Sequence, residues 1–189
     1  MIRDADTKKM VRIAMLCAVS VVFMLLVRFP LIPAAPYMEY TPADIPILIA
    51  SFLYGPLYGL AAAAVVSIIQ GITVSAASGI IGMVMNFATS SAMCVVAGLF
   101  YQRRRTLRNA VLGLVFGGIA TILTALPLNV LLTPLFMPFL SMRDVAALLV
   151  PVILPFNAVK VVINGTVTMF VYKTVSRLFA YENQSENGG

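Results

Sequence analysis

Residues 45–102 read IPILIASFLYGPLYGLAAAAVVSIIQGITVSAASGIIGMVMNFATSSAMCVVAGLFYQ, fifty-eight consecutive positions without one charged side chain. A helix that crosses a bilayer needs about 20 apolar residues. By length alone, this run holds either two long spans or three short ones. Two breaks favour three. Gly55-Pro56 interrupts the first third, and the small and polar stretch from Gly71 to Ser78 forms a second turn before Gly79 opens a long apolar segment. The first of the three pieces is then short, roughly 13 residues or about 20 Å at 1.5 Å per residue. It can cross only among other helices or where the membrane thins.

Charges on either side of the run decide the count. Arg3, Lys8, Lys9 and Arg12 precede the apolar run Ile13–Val27, and Arg103, Arg104, Arg105 and Arg108 follow the long one. Basic clusters next to spans face the cytoplasm. Three spans between the two clusters, added to the first, put both on that side; two spans would not. The uncharged run Asn109–Met142 and the run Val145–Tyr172, interrupted only by Lys160, supply one span each. Lys173 and Arg177 then also fall inside, leaving Arg28 and Arg143 in outer loops.

The expectation is an all-α integral membrane protein with six transmembrane helices and cytoplasmic N- and C-termini. The approximate spans are 10–27, 42–54, 57–71, 79–101, 109–136 and 147–173, within one domain over 1–180 and with a disordered tail over 181–189. Thr41, Pro42 and Asp44 read as the start of the second helix: a hydroxyl cap, a proline at the first position and an acid in the first turn. The basic start, apolar run and Pro33-Ala34-Ala35 resemble a signal peptide, but prolines around the small residues fit cleavage poorly, and removal would leave five spans.

Composition agrees. Hydrophobic residues make up 61% of the chain, charged residues 11%, and mean hydropathy is +0.99, whereas soluble domains run at about 45–50% apolar and about 25% charged. The net charge of +6 sits at segment ends and so reads as topology rather than nucleic-acid binding. Histidine is absent, and Cys17 and Cys94 both lie in apolar runs, which excludes histidine catalysis, Cys/His zinc sites and a disulfide framework. No glycine-rich Walker pattern precedes a lysine. No nucleophile–base pair stands out, so an enzyme is the weakest reading.

Polar groups inside hydrocarbon are costly and therefore mark function by default. Lys160 is the only charge in the core of an expected span; Arg12, Asp44 and Lys173 sit at span ends. Asn157, Lys160 and Asn164 follow at i, i+3 and i+7, one face of a helix. Pro151 and Pro155 just before them should bend the helix and free backbone carbonyls. Such a face can hydrogen-bond a polar, planar ligand; the plainer alternative is that Lys160 pairs with a carboxylate and locks helices together, with Asp44 or Glu39 near the outer end as partners. Asn129 follows Pro127 in the fifth span, Asn86 lies in the fourth with Ser90 one turn on, and Gln70 and Ser67 share a face of the third. Each alone reads as interhelical glue; together they suggest a hydrogen-bonding cavity. Met83, Met85, Phe87, Phe136, Met137, Phe139 and Phe156 are candidate apolar walls. Ala14 and Ala18, four apart, allow close helix approach, either within the chain or to a partner subunit.

With these residues in view, a family resemblance emerges. Ala14-x-x-x-Ala18, Phe29-Pro30-Leu31, Tyr40-Thr41-Pro42-Ala43-Asp44-Ile45-Pro46 and Gly55-Pro56-Leu57-Tyr58-Gly59 resemble the substrate-binding S components of energy-coupling factor (ECF) vitamin transporters. Met85-Asn86-Phe87 and Pro155-Phe156-Asn157-Ala158-Val159-Lys160 point to the riboflavin-specific kind, over about Met10 to Lys173. The resemblance implies a multi-pass plasma-membrane protein that captures riboflavin in an outward-facing pocket, as transported ligand and not as cofactor. It implies a membrane coupling subunit and two cytoplasmic ATPases as partners. Substrate binding then falls to Asn129, Asn157 and Lys160, with Asn86 and the Tyr37–Tyr40 loop, Tyr40 included, nearby; Ala14 and Ala18 would dock the coupling subunit. The alternatives are an S component for another vitamin or precursor, a stand-alone proton-coupled carrier, and an accessory subunit without ligand.

Overall fold

The computed structural model describes the backbone of residues 2–33, 38–76 and 78–187, and the side chains of these residues except 2–6, 173 and 175–187. Ala34, Ala35 and Tyr37 therefore lie outside the described residues. Helix α1 runs over Ile2–Leu26, α2 over Asp44–Tyr54, α3 over Pro56–Ile72, α4 over Gly79–Arg103 and α5 over Leu107–Phe136. The last rod is composite: α6 over Met142–Leu148, a π-helical turn over Leu149–Ile153, and α7 over Leu154–Asn187. Counting that rod once gives six helices among the described residues. Four of the six are long and apolar enough to cross a membrane, while α2 and α3 are shorter apolar helices. Helix α7 extends to Asn187, across most of the expected tail; adding residues to an existing helix is cheap compared with starting one.

The short α2 is stable because neighbours surround it. Every residue from Asp44 to Phe52 is buried, and α1, α3, α4 and α7 all pack on it. At 11 residues it spans about 16 Å, and its neighbours enclose all of it but the partly buried Leu53 and Tyr54. Gly55 turns the chain from α2 into α3 at φ 112°, a backbone region open to glycine, and Pro56 then occupies the first turn of α3. Helices α4 and α5 pack closely through Gly113 and Gly117, where an added Cβ would stand 2.7 Å from the Ala97 carbonyl oxygen and 2.8 Å from that of Met93.

The start of α2 differs from expectation. The helix begins at Asp44, and its capping position, Ala43, makes no side-chain hydrogen bond. Thr41 and Pro42 belong to the preceding turn, closed by the Ile45 amide donating to the Pro42 carbonyl at 3.1 Å. The Asp44 carboxylate turns instead toward other helices. The π-turn contains Pro151 and ends two residues before Pro155, where the missing proline N–H groups interrupt the regular helical ladder.

The two ends of the bundle differ in character. At one end Phe52, Tyr101 and Tyr172 close the interior, with ring centroids 4.9 Å (Phe52–Tyr101) and 5.5 Å (Phe52–Tyr172) apart, and the hydroxyls of Tyr101 and Tyr172 hydrogen-bond. The Lys9 ammonium lies over the Tyr58 ring at 3.7 Å, tying α1 to α3 at that end. The other end is open. There a two-residue hairpin, β1 (Phe29–Pro30) and β2 (Glu39–Tyr40), pairs Phe29 with Tyr40 and Pro30 with Glu39. An ion pair between Arg28 and Glu39 clasps it.

Candidate functional site

A hollow of about 200 Å³ opens at the hairpin end. The C-terminal half of α5 brings Asn129, the start of α7 brings Asn157 and Lys160, and the start of α4 brings Asn86. The sequence pattern thus places four of its five candidate ligand residues on one cavity wall. Met38, Met85, Phe136 and Phe156 give the hollow apolar surface, and Arg28 and Glu39 stand on its lining.

The orientation of each amide has a local cause. Asn157 Nδ2 donates to the Ile153 carbonyl at 2.8 Å, and Asn129 Nδ2 donates to the Ala125 carbonyl at 2.8 Å. Each bond reaches back one turn and fixes which way the amide faces. One N–H of each side chain remains free to donate, and Asn157 Oδ1 remains free to accept. Thr133 Oγ1 reaches Asn129 Oδ1 at 3.4 Å, a long bond. Asn86 is tied across helices, its Nδ2 donating to Ser67 Oγ at 3.0 Å.

Beneath the hollow lies a network that centres on Asp44, which is 6% exposed. Ser90 Oγ donates to Asp44 Oδ1 at 2.5 Å. Asn164 Nδ2 donates to Oδ2 at 3.1 Å, and Lys160 Nζ pairs with the same oxygen at 2.9 Å. Tyr40 hydroxyl donates to Asn164 Oδ1 at 2.9 Å. Burial and the negative charge of Asp44 push the Tyr40 phenol up to about 12, which keeps it a donor.

Tyr40 is not among the residues that line the hollow: β2 turns its side chain inward to 4% exposure, and its hydroxyl braces the network behind the hollow. Asp44, expected near the outer end as a possible partner of Lys160, is the first residue of α2 at the hairpin end; it is buried, pairs with Lys160 and joins α2 to α4 and α7. Lys160 pairs with the Asp44 carboxylate and also lines the hollow. Of the expected apolar walls, Met85, Phe136 and Phe156 line the hollow. Met83 and Phe87 face a separate apolar pocket beside Ala64 and Ile68, and Phe139 is 79% exposed.

A wider groove of about 1040 Å³ runs between α1 and α3. Ala14 and Ala18 lie on it, both exposed, so they do not serve packing within the described chain. Apart from Lys9 and Tyr58 at one end its lining is apolar, with Ile13, Val21, Val65 and Ile69. Such a surface offers a polar vitamin no hydrogen bonds.

Among the described residues the chain is a six-helix bundle with a polar hollow at one end and a groove lined by small residues on its flank. The chain belongs to the family described as ECF transporter, substrate-specific component, which matches residues 8–172. It is 30% identical over 172 residues to the riboflavin transporter FmnP of Bacillus subtilis, covering 87% of this chain and 90% of that protein. It is 27% identical over 179 residues to the riboflavin transporter RibU of Staphylococcus aureus, covering 90% and 92%. The fold matches a solved S component of a bacterial ECF transporter with a TM-score of 0.79 at 24% identity, over 92% of this chain and 98% of that one. ThiT from Listeria monocytogenes shares the fold at a TM-score of 0.66 and 14% identity, over 93% and 98%.

Proposed function

We propose that this chain is the riboflavin-binding subunit of an ECF importer and that the hollow is the vitamin site. The observation that carries the reading is the convergence of Asn129, Asn157 and Lys160 from two helices onto one cavity. The pyrimidine edge of a flavin presents a ring N–H between two carbonyls. Asn157 Oδ1 suits the N–H, while the Lys160 ammonium and a free asparagine N–H suit the carbonyls. In a dry site, an unmatched donor or acceptor costs more than a made bond returns, so this edge sets specificity. Phe136, Phe156, Met38 and Met85 suit the flat ring faces. Ligand sites usually measure about 300–1,000 Å³, so riboflavin must widen the hollow as it enters, and the flexible Met38 and Met85 allow that.

Orientation follows from charge. Arg103, Arg104, Arg105 and Arg108 stand at the closed end with Lys8 and Lys9, which puts that end in the cytoplasm and opens the hollow outward. Energy then has to come from elsewhere: a membrane coupling subunit seated on the Ala14/Ala18 groove, and two ATPases beneath it. The relatives' names favour riboflavin over another vitamin, a choice that the shared fold alone does not make. The test is the absorbance spectrum of the detergent-extracted protein, together with uptake in liposomes. A flavin spectrum and ATP-dependent uptake requiring the partner subunits are expected. A colourless protein that ignores added riboflavin, or transport by the chain alone, overturns the reading.

A further inference from the structure

Asp44 does not line the hollow, yet its two oxygens take three donors from two other helices: Ser90 Oγ at 2.5 Å, Asn164 Nδ2 at 3.1 Å and Lys160 Nζ at 2.9 Å. Of these donors, only Lys160 also lines the hollow. A lysine head on a four-carbon stem samples many positions unless something holds it. Here the carboxylate does, and the carboxylate is itself held, because Ser90 fixes Oδ1 and Tyr40 fixes Asn164 at 2.9 Å. The pair also cancels charge. Lys160 thus offers donor N–H groups to the hollow without presenting it a net positive charge.

We infer that Asp44 is the positioning residue of the site, fixing the Lys160 ammonium where a ligand carbonyl meets it and making the site one for a neutral acceptor edge. The inference rests on the riboflavin reading of the hollow. Asp44 acts through Lys160 and touches no ligand.

The test uses the full-length protein in detergent and reads riboflavin affinity by fluorescence quenching for D44N, K160Q and the double variant D44N/K160Q. D44N is expected to weaken binding about tenfold or more, since it frees the lysine head and leaves a buried charge unpaired. The double variant should bind within about twofold of K160Q, because residues acting through one another are not additive. A second readout separates positioning from mere support of the fold. Sulfur accepts hydrogen bonds poorly, so riboflavin analogues with a thiocarbonyl in place of one ring carbonyl report which carbonyl the lysine meets. Both carbonyls meet a donor, but the ammonium's bond is the stronger, so the unaltered protein should discriminate more sharply against the thio analogue altered at the lysine's carbonyl, and D44N and K160Q should both lose that difference. Unchanged affinity in D44N, additive losses in the double variant, or an intact discrimination ratio each overturn the inference. Should D44N alone not fold, D44N/K160Q, which carries no unpaired charge, still decides by comparison with K160Q: a large further loss refutes it. Failure of the unaltered protein to bind riboflavin overturns the ligand reading and this inference together, whereas binding that D44N leaves intact overturns this inference alone.

Discussion

Replacing Asn157 with alanine removes one interaction that the structure shows and, on the proposed function, a second made to the ligand. The side chain is 6% exposed, and its Nδ2 donates to the Ile153 carbonyl in the π-turn at 2.8 Å. That bond is local and contributes about 1 kcal/mol to stability. On the proposed function, Oδ1 and the second N–H are the part that serves the ligand. With Asn157→Ala, the flavin N–H has no acceptor inside a hollow walled by Phe136, Phe156 and Met85. Leaving such a group unsatisfied costs about 1–3 kcal/mol, or about 5- to 160-fold in dissociation constant. The assay is a titration of riboflavin fluorescence by purified protein, with the apo melting temperature measured in parallel. A small fall in melting temperature with a large loss of affinity is the expected pattern. Affinity within about twofold of the unaltered protein would refute the placement of the flavin edge at this residue, since the lost pair alone should exceed that change.

Other perturbations separate the pocket from the rest of the molecule. Gly113→Ala places a methyl 2.7 Å from the Ala97 carbonyl oxygen and 3.1 Å from Phe100 Cβ. It should destabilise the α4–α5 contact by about 1–3 kcal/mol, read as a lower melting temperature; an unchanged one contradicts the close approach. Ala18→Phe fills the α1–α3 groove and should abolish ATP-driven uptake while leaving riboflavin affinity in detergent intact; loss of both would mean the groove supports the fold instead. Glu39→Gln breaks a half-exposed ion pair with Arg28, worth about 0.2–1 kcal/mol. Its affinity loss should stay within about fivefold, and a much larger loss in a binding titration would place Glu39 on the ligand itself.

The parts of the fold that rest on local signals were legible in the sequence. Gly55-Pro56 and the Gly71–Ser78 stretch divided the charge-free run correctly because turns announce themselves in neighbouring residues. The face of Asn157, Lys160 and Asn164 was legible for the same reason, being a matter of helical spacing. The network around Asp44 was not, since Ser90, Asn164 and Tyr40 join it only across long separations: 46 residues between Ser90 and Asp44, 120 between Asn164 and Asp44, and 124 between Tyr40 and Asn164. The sequence offered Asp44 both as a helix-start signal and, beside Glu39, as a partner for Lys160; the choice between the two carboxylates and the added donors Ser90 and Asn164 come only from the packing of α4 and α7. Sorting the methionines and phenylalanines also failed in part. In a helix apolar all round, spacing does not distinguish lipid from cavity, so Met85 and Met83 looked alike although only Met85 lines the hollow.

The most direct test of the account is a structure of the protein with riboflavin bound. The flavin should lie in the hollow at the hairpin end, its pyrimidine edge within hydrogen-bond distance of Asn157 and Lys160, with Lys160 still joined to Asp44. A flavin found in the α1–α3 groove, or in the hollow with its ribityl chain rather than its ring against Asn157 and Lys160, would contradict it.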